Sequence, residues 1–427
     1  MLKGNFPIQS FAGLKTPFYF YDLPLLRSTL ETVKAELRPG WHMHYAVKAN
    51  FNPRILSEIA AAGFGADCVS GGEISAALAA GFEPSGIVFA GVGKSDDEII
   101  LALESGIGMF NVESAAELEV ISALAKERGI VAPVSLRVNP DIGAHTHANI
   151  TTGLAENKFG INLEQLEGVV RLAMQLPGVC YRGLHFHIGS QITDMSDFQA
   201  LCNRINGLQD AFERAGMPLG DINVGGGLGI NYEHPNHLFM ADFASYFGVF
   251  RRHLRLRHGQ QLHFELGRAI VAPCGTLISR VLYVKEGTYK RFAIIDASMT
   301  ELIRPALYHA YHRVENLGRF SPSDTFDGGS TPVTTPGALP GAEPSREPHR
   351  VSSPGPAADH ARIDERPEVV YDVVGPVCES SDTFAKNIAL EECRRGDFIA
   401  IRSTGAYGES MSSHYNCRPL PGSFFQE

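Results

Sequence analysis

"MHYAVKANFNPRILSEIAAAGFGADCV", residues Met43 to Val69, contains one complete strand–helix–strand unit, and its reading sets the fold. In "MHYAVKA" the apolar run Tyr45, Ala46 and Val47 reads as a buried strand, and Phe51-Asn52-Pro53 breaks the pattern just after it. "NPRILSEIAAAG" then spaces its apolar residues as a helix does, and "GADCV" is a second short strand. The same alternation runs from about residue 25 to 270. Strand candidates "IVFAG", "GMFNV", "VSLRVN", "YRGLHFHI", "DINVGGG" and "LHFEL" are separated by helical stretches such as "SGGEISAALAAGF", "SAAELEVISALAKER" and "NLEQLEGVVRLAMQL". Strands alternating with helices build parallel βαβ units. Eight such units in about 245 residues fit a TIM-like (β/α)8 barrel better than an open doubly wound sheet.

Within that frame Lys48 is anomalous. It ends a core strand, where an unpaired ammonium would cost several kcal/mol if buried. Other polar residues fall at the same ends of their strands: Asp67, Arg137, His187, the run Gly225-Gly226-Gly227, and Glu265. That is the barrel face on which chemistry is built. A lone lysine at a strand end is ordinarily a surface residue with its stem lying along apolar neighbours. His185 and His187 of "HFHIGSQ" alternate onto one face, which suits the lining of an interior, but no third ligand follows at a metal-binding spacing. "GGGLG" lacks the G-x-G-x-x-G spacing of a dinucleotide site, yet consecutive glycines still let backbone N–H groups approach a phosphate.

Beyond residue 270 the texture becomes β-rich, in "GTLISRVLYVKEGTYKRFAIIDAS", "EVVYDVVGPVC" and "GDFIAIRST". We expect three parts: residues 1–24, contributing the strand "TPFYFYD" to a β domain; a cofactor-binding barrel over 25–270; and an all-β domain over 271–427. Residues 319–362 are dominated by Pro, Gly, Ser, Thr and Ala and have almost no large apolar residues, so they read as a disordered insert in the β domain.

The totals narrow the function classes. The chain has 427 residues, 44% of them hydrophobic, enough for a large core, and its net charge of -10 argues against nucleic-acid or anionic-membrane partners. No apolar run is long enough to span a bilayer, and the first residues lack the apolar core of a secretory signal. Seven scattered cysteines without a CxxC pair fit reduced thiols in a cytoplasmic protein and give no zinc site.

One ligand accounts for the strand-end residues together. Pyridoxal 5'-phosphate is anionic and carries an aldehyde, with which a lysine amine forms a Schiff base. Glu265 is placed to face the pyridine nitrogen and keep it protonated, and His187 to lie on the ring face.

The motifs "HYAVKAN", "GADCVSGGE", "HFHIGSQ", "NVGGGLGI", "ELGRAIV", "LIRPALY", "GPVCESSD" and "GAYGESMSSHYNCRP", in this order, resemble the fold-type III pyridoxal-phosphate enzymes, an alanine racemase-like barrel plus β domain. Within these the chain looks like the diaminopimelate decarboxylases, and the resemblance covers nearly everything except the insert. It implies decarboxylation of meso-2,6-diaminopimelate to L-lysine and CO2, the last step of bacterial lysine biosynthesis. It also implies roles. Lys48 forms the Schiff base and His187 stacks on the ring. Ser190, Gly225, Gly226 and Gly227 contact the phosphate, with Arg268 nearby. Glu265, Leu266, Gly267 and Arg268 form the E-x-G-R segment at the cofactor. Arg268, Arg304 and Tyr308 clamp the substrate carboxylate, and Tyr407 touches cofactor and substrate. Cys378 protonates the carbanion and Glu379 holds the distal ammonium. The resemblance further implies an obligate homodimer that lends Cys378 and Glu379 across its interface.

Two departures stand out: Leu266 occupies the usual proline of E-P-G-R, and many relatives continue for a further strand and helix past "NCRPLPGSFFQE". The alternative is a same-fold decarboxylase of ornithine, arginine or lysine. Relatives acting on ornithine tend to carry a C-D pair where this chain has Cys378-Glu379. A racemase would place a tyrosine base there. A non-catalytic relative would be expected to lack Lys48 or Cys378, and both are present.

Overall fold

The structure, a computed structural model, describes residues 4–142, 158–319 and 366–427. Apart from Arg319, the insert expected over 319–362 lies outside the described residues.

After an N-terminal strand β1 (Phe18–Asp22) come eight parallel strands: β2 (Trp41–Ala46), β3 (Gly65–Cys68), β4 (Ile87–Phe89), β5 (Met109–Val112), β6 (Ala132–Val138), β7 (Val179–Phe186), β8 (Asp221–Asn223) and β9 (Leu262–Leu266). They close into a barrel, with β9 returning to β2 in a register that sets Glu265 against His44 and Leu266 against Tyr45. The strands read as apolar runs because both faces are covered, by barrel interior on one side and helices on the other. Side-chain caps start the helices directly after the strands. Asn52 accepts from Arg54 N with Pro53 leading the helix, Ser70 accepts from Glu73 N, and Ser95 and Glu98 form a reciprocal capping box. These caps keep the connections short at the end of the barrel where the strand-end polar residues gather.

The remaining strands are β10 (Gly275–Glu286), β11 (Arg291–Ile295), β12 (Val314–Gly318), β13 (Glu368–Val374), β14 (Thr383–Glu391), β15 (Phe398–Ile401) and β16 (Gly422–Gln426). They form one sheet in the order β12-β15-β10-β11-β13-β14, and β1 joins it antiparallel to β10 and parallel to β16. Aromatic rings seal this junction: Phe11 meets Phe18, Phe20, Phe398 and Phe424 edge-on. The closed barrel plus a separate sheet domain is the architecture expected from the sequence. Among the described residues, no helix is long and apolar enough to cross a membrane, and no group of three His, Cys, Asp or Glu side chains could hold a metal ion.

Candidate active site

A cavity of about 1110 Å³ opens at the C-terminal ends of the barrel strands and is shared with the sheet domain. The barrel supplies Lys48, Asp67, Arg137, His185, His187, Ser190, Gly227, Glu265, Gly267 and Arg268; the sheet domain supplies Arg304, Tyr308 and Tyr407.

Lys48 sits in the 3-10 turn Val47–Ala49 that follows β2. It differs from the core residue that its strand context suggested: its flanks Val47 and Ala49 are buried, whereas Lys48 itself is exposed, and what it faces is the cavity. The turn is gripped by the sheet domain. Tyr407 N–H donates to the Ala49 carbonyl at 2.8 Å, and the Asn50 side-chain amide donates to the Gly405 carbonyl and to Tyr21 Oη, each at 2.8 Å. Tyr407 takes a left-handed backbone, φ 57°, to make this contact, a conformation that bulky residues rarely adopt.

Opposite the lysine lies a divided pair of acids. Glu265 Oε2 is 2.9 Å from His185 Nε2, and its Oε1 accepts from the amides of Asn111 at 2.9 Å and Asn223 at 2.7 Å. Burial alone would raise the Glu265 carboxyl, but His185, His44 and Asn223 hold it well below the usual range, so it is an anion. Asp67 has no such donors. Burial and the Glu265 charge push it up to about 8, against the pull of Lys48 and Arg137. Desolvation by the protein around the cavity opposes charge on Lys48, but Asp67, Tyr407 and Glu265 raise its pKa, keeping the ammonium form. Burial, with Arg137 and Lys48 close by, drives His187 well below its ordinary value, so its ring is neutral. Its Nδ1 therefore accepts the Gly226 N–H at 3.3 Å.

The other end of the cavity is cationic. Arg268 donates to Ser190 Oγ through Nη2 at 3.0 Å and to Tyr232 Oη through Nη1 at 2.8 Å. Arg304 Nη1 donates to Tyr232 Oη at 3.1 Å and to His312 Nε2 at 2.8 Å. Both guanidiniums are buried, and neither has a carboxylate partner among the described residues. Two such cations in one cavity call for an anionic ligand. The glycine run makes room beside them. A Cβ on Gly226 would lie 1.9 Å from the Glu265 carbonyl, and Gly227 adopts φ 107° as it passes Gly189. A phosphorylated pyridoxal therefore fits the residues present: a reactive amine, an anionic carboxylate and a buried cationic end.

Several predicted residues lie off the cavity lining. Gly225 and Gly226 stand behind Gly227, with the Gly225 N–H already donating to Asn223, and Leu266 packs into the core. Cys378 and Glu379 are exposed and do not line the cavity at all; Glu379 instead accepts from Tyr415 Oη and Ser381 Oγ. The sequence reading missed Tyr232, His312 and Asn111. Only Tyr232 left a trace there, as an aromatic five residues past the glycine run.

Two histidines buried neutral give the fold a pH signature. His312 donates from Nδ1 to the Arg402 carbonyl and accepts from Arg304 at Nε2; burial and Arg304 lower it to about 3. At the far end of the barrel His263 meets His44 at 3.0 Å, and burial plus that neighbour lower it to about 3. Between those values and the ordinary 6.5 the unfolded chain binds protons that the folded chain refuses, so stability is lost as pH falls. Each group contributes a slope of up to about 1.4 kcal/mol per pH unit in that window. Melting temperature should fall on going from about pH 7 to about pH 5, and His263→Gln should flatten the decline. A melting temperature independent of pH over that range would contradict neutral burial of both rings.

Comparison with known proteins follows the same outline. The family model for the pyridoxal-dependent decarboxylase pyridoxal binding domain matches residues 25–272. A diaminopimelate decarboxylase of Bacteroides thetaiotaomicron is 54% identical over 422 residues, 98% of each chain. One from Helicobacter pylori (strain J99) is 40% identical over 412 residues, 96% of this chain and 90% of that one. A crystal structure of diaminopimelate decarboxylase from Helicobacter pylori complexed with L-lysine superposes with a TM-score of 0.82 at 37% identity, covering 98% of this chain and 93% of that one. A lysine/ornithine decarboxylase from Vibrio vulnificus shares the fold at a TM-score of 0.74 but only 19% identity, over 98% of this chain and 96% of that one.

Proposed function

The chain belongs to the pyridoxal-dependent diaminopimelate decarboxylases, and from that premise we propose how its residues divide the work of converting meso-2,6-diaminopimelate to L-lysine and CO2. The reading rests on one observation: a single cavity presents Lys48, the anionic Glu265 and two buried guanidiniums without carboxylate partners.

When bound, pyridoxal phosphate supplies the aldehyde that Lys48 holds covalently and the ring that takes up the electrons left as the carboxylate departs. Glu265, fixed by three donors, would hold a proton on the cofactor's ring nitrogen, and the neutral His187 would help to hold the ring. Ser190, Arg268 and Gly227 would receive the phosphate, with Gly225 and Gly226 behind Gly227 shaping the loop that carries it. Leu266, packed in the core, and Gly267, at the cavity wall, carry the chain from Glu265 to Arg268. Arg268, Arg304, Tyr308 and Tyr407 orient the substrate, with a guanidinium on each carboxylate they reach. Cys378 delivers the proton that replaces CO2, and Glu379 holds the distal ammonium.

The last two roles are assigned to the second subunit's residues, a reading supported by the absence of Cys378 and Glu379 from the cavity of their own chain. The proposed assembly is a homodimer whose sites are completed across the interface. Exposed apolar side chains at the cavity mouth, Val92 and Tyr311, are consistent with a covering partner. The free state of all seven cysteines fits a reducing cytoplasm.

Diaminopimelate ends in a zwitterion, so its recognition needs a cation as well as an anion; ornithine, arginine and lysine end in a bare cation. Arg304 with Glu379 supplies both charges. A CO2-release assay with meso-diaminopimelate, L-lysine, L-ornithine and L-arginine tests the assignment. Turnover of diaminopimelate should exceed the others by at least about a hundredfold in kcat/KM, the scale of a lost charged contact. Comparable turnover of ornithine would return the choice to the broader decarboxylases of this fold.

A further inference from the structure

Tyr232 is held where two cations meet. Gln191 fixes the preceding loop by donating from Nε2 to the Ile230 carbonyl at 2.7 Å and accepting the Ile230 N–H at 3.2 Å. The Tyr232 ring then stands edge-on to His312, with ring centroids 5.1 Å apart, and the Arg304 guanidinium lies 5.2 Å from its centroid. Its oxygen takes two hydrogen bonds, from Arg268 at 2.8 Å and Arg304 at 3.1 Å. A guanidinium has no acceptor atom, so the phenol is the acceptor in both. Its own hydrogen is left over. Among the described residues it makes no donor bond, and the side chain lines the cavity.

From this geometry we infer that Tyr232 is a ligand-recognition residue that braces Arg268 and Arg304 against one another and donates its O–H to an oxyanion bound between them. The inference rests on the proposed reading of the cavity and deepens it. The oxygen between the two like charges relieves their repulsion and fixes their spacing, and the two cations polarise the O–H and strengthen it as a donor. Consistent with this, the charges of Arg268 and Arg304 lower the phenol's pKa even though burial acts to raise it. The oxyanion is a substrate or product carboxylate at the Arg304 side, or the cofactor phosphate at the Arg268–Ser190 side.

Tyr232→Phe removes only the oxygen and separates these sources. Product binding is read by titrating the visible spectrum of the cofactor-loaded protein with L-lysine, and with cadaverine, which has the same amines and no carboxylate. Cofactor affinity is read on the apoprotein. The carboxylate arm predicts L-lysine binding weakened roughly tenfold to a hundredfold, the range for one hydrogen bond to a charged group, with cadaverine and cofactor unchanged. The phosphate arm predicts the same loss for pyridoxal phosphate instead. A melting curve like that of the wild type confirms that the variant is folded. Unchanged affinity for both anions, or equal losses for L-lysine and cadaverine, overturns the assignment. A wild-type protein with no visible band would count against Lys48 as the anchor. A wild type that shows the band but binds neither L-lysine nor pyridoxal phosphate better than Tyr232→Phe does counts against Tyr232.

Discussion

Lys48→Ala is expected to yield a folded, colourless protein that releases no CO2 from meso-diaminopimelate. The turn carrying residue 48 is held by main-chain and neighbouring groups: Tyr407 N–H on the Ala49 carbonyl, the Asn50 amide on Gly405 and Tyr21, and Tyr45 Oη on the Asn50 carbonyl at 2.9 Å. None of these uses the Lys48 side chain, and alanine suits a helical turn. The fold should therefore survive, with a melting temperature close to that of the wild type. The chemistry should not survive. Loss of a covalent nucleophile costs on the order of 10⁴- to 10⁶-fold in turnover, and the visible band should vanish because, among the described residues, no other lysine lines the cavity. Absorbance of the purified variant after incubation with pyridoxal phosphate, together with a CO2 assay, checks both. A retained band with retained turnover would mean that another amine anchors the cofactor.

The barrel was legible because its signal is local. Each strand is a short apolar run, most barrel helices have a side-chain cap at their start, and Ser70, Ser95 and Ser114 mark the strand-to-helix transitions as plainly in sequence as in space. The cavity's charged residues were legible for a related reason: parallel strands place Lys48, Asp67 and Glu265 at equivalent ends, so a list of strand-end polar residues is already a map of one face. Lys48 shows where that reasoning fell short. Periodicity marks the strand as buried, yet only the closed barrel shows that this strand end borders a cavity.

What escaped the sequence are the partners of the partners. Asn111 supports Glu265 from 154 positions away, and Tyr232 joins Arg304 across 72. Asn50 and Gly405 are separated by 355. Nothing in local composition distinguishes Asn111 from any other polar residue in a strand, and its amide has meaning only once β5 and β9 face each other across the barrel. Cys378 and Glu379 carry this limit one step further. Motif order singled them out, but the single chain leaves them outside its own cavity.

That separation makes complementation between inactive variants the decisive test of a shared site. A Lys48→Ala protomer lacks the cofactor anchor but keeps Cys378, and a Cys378→Ala protomer has the reverse defect. In a two-fold dimer whose sites each take Lys48 from one subunit and Cys378 from the other, a mixed dimer has one site with both residues intact and one with neither. When equal amounts exchange subunits freely, half of the dimers are mixed and each has one good site of two, so activity should recover to about a quarter of the wild-type value. Neither parent alone should show it, and dilution that slows exchange should slow the recovery. Subunit exchange is followed independently by pairing differently tagged protomers. If mixed dimers form and activity stays at the level of the parents, Cys378 acts within its own subunit or takes no part in the reaction, and the shared-site reading is withdrawn.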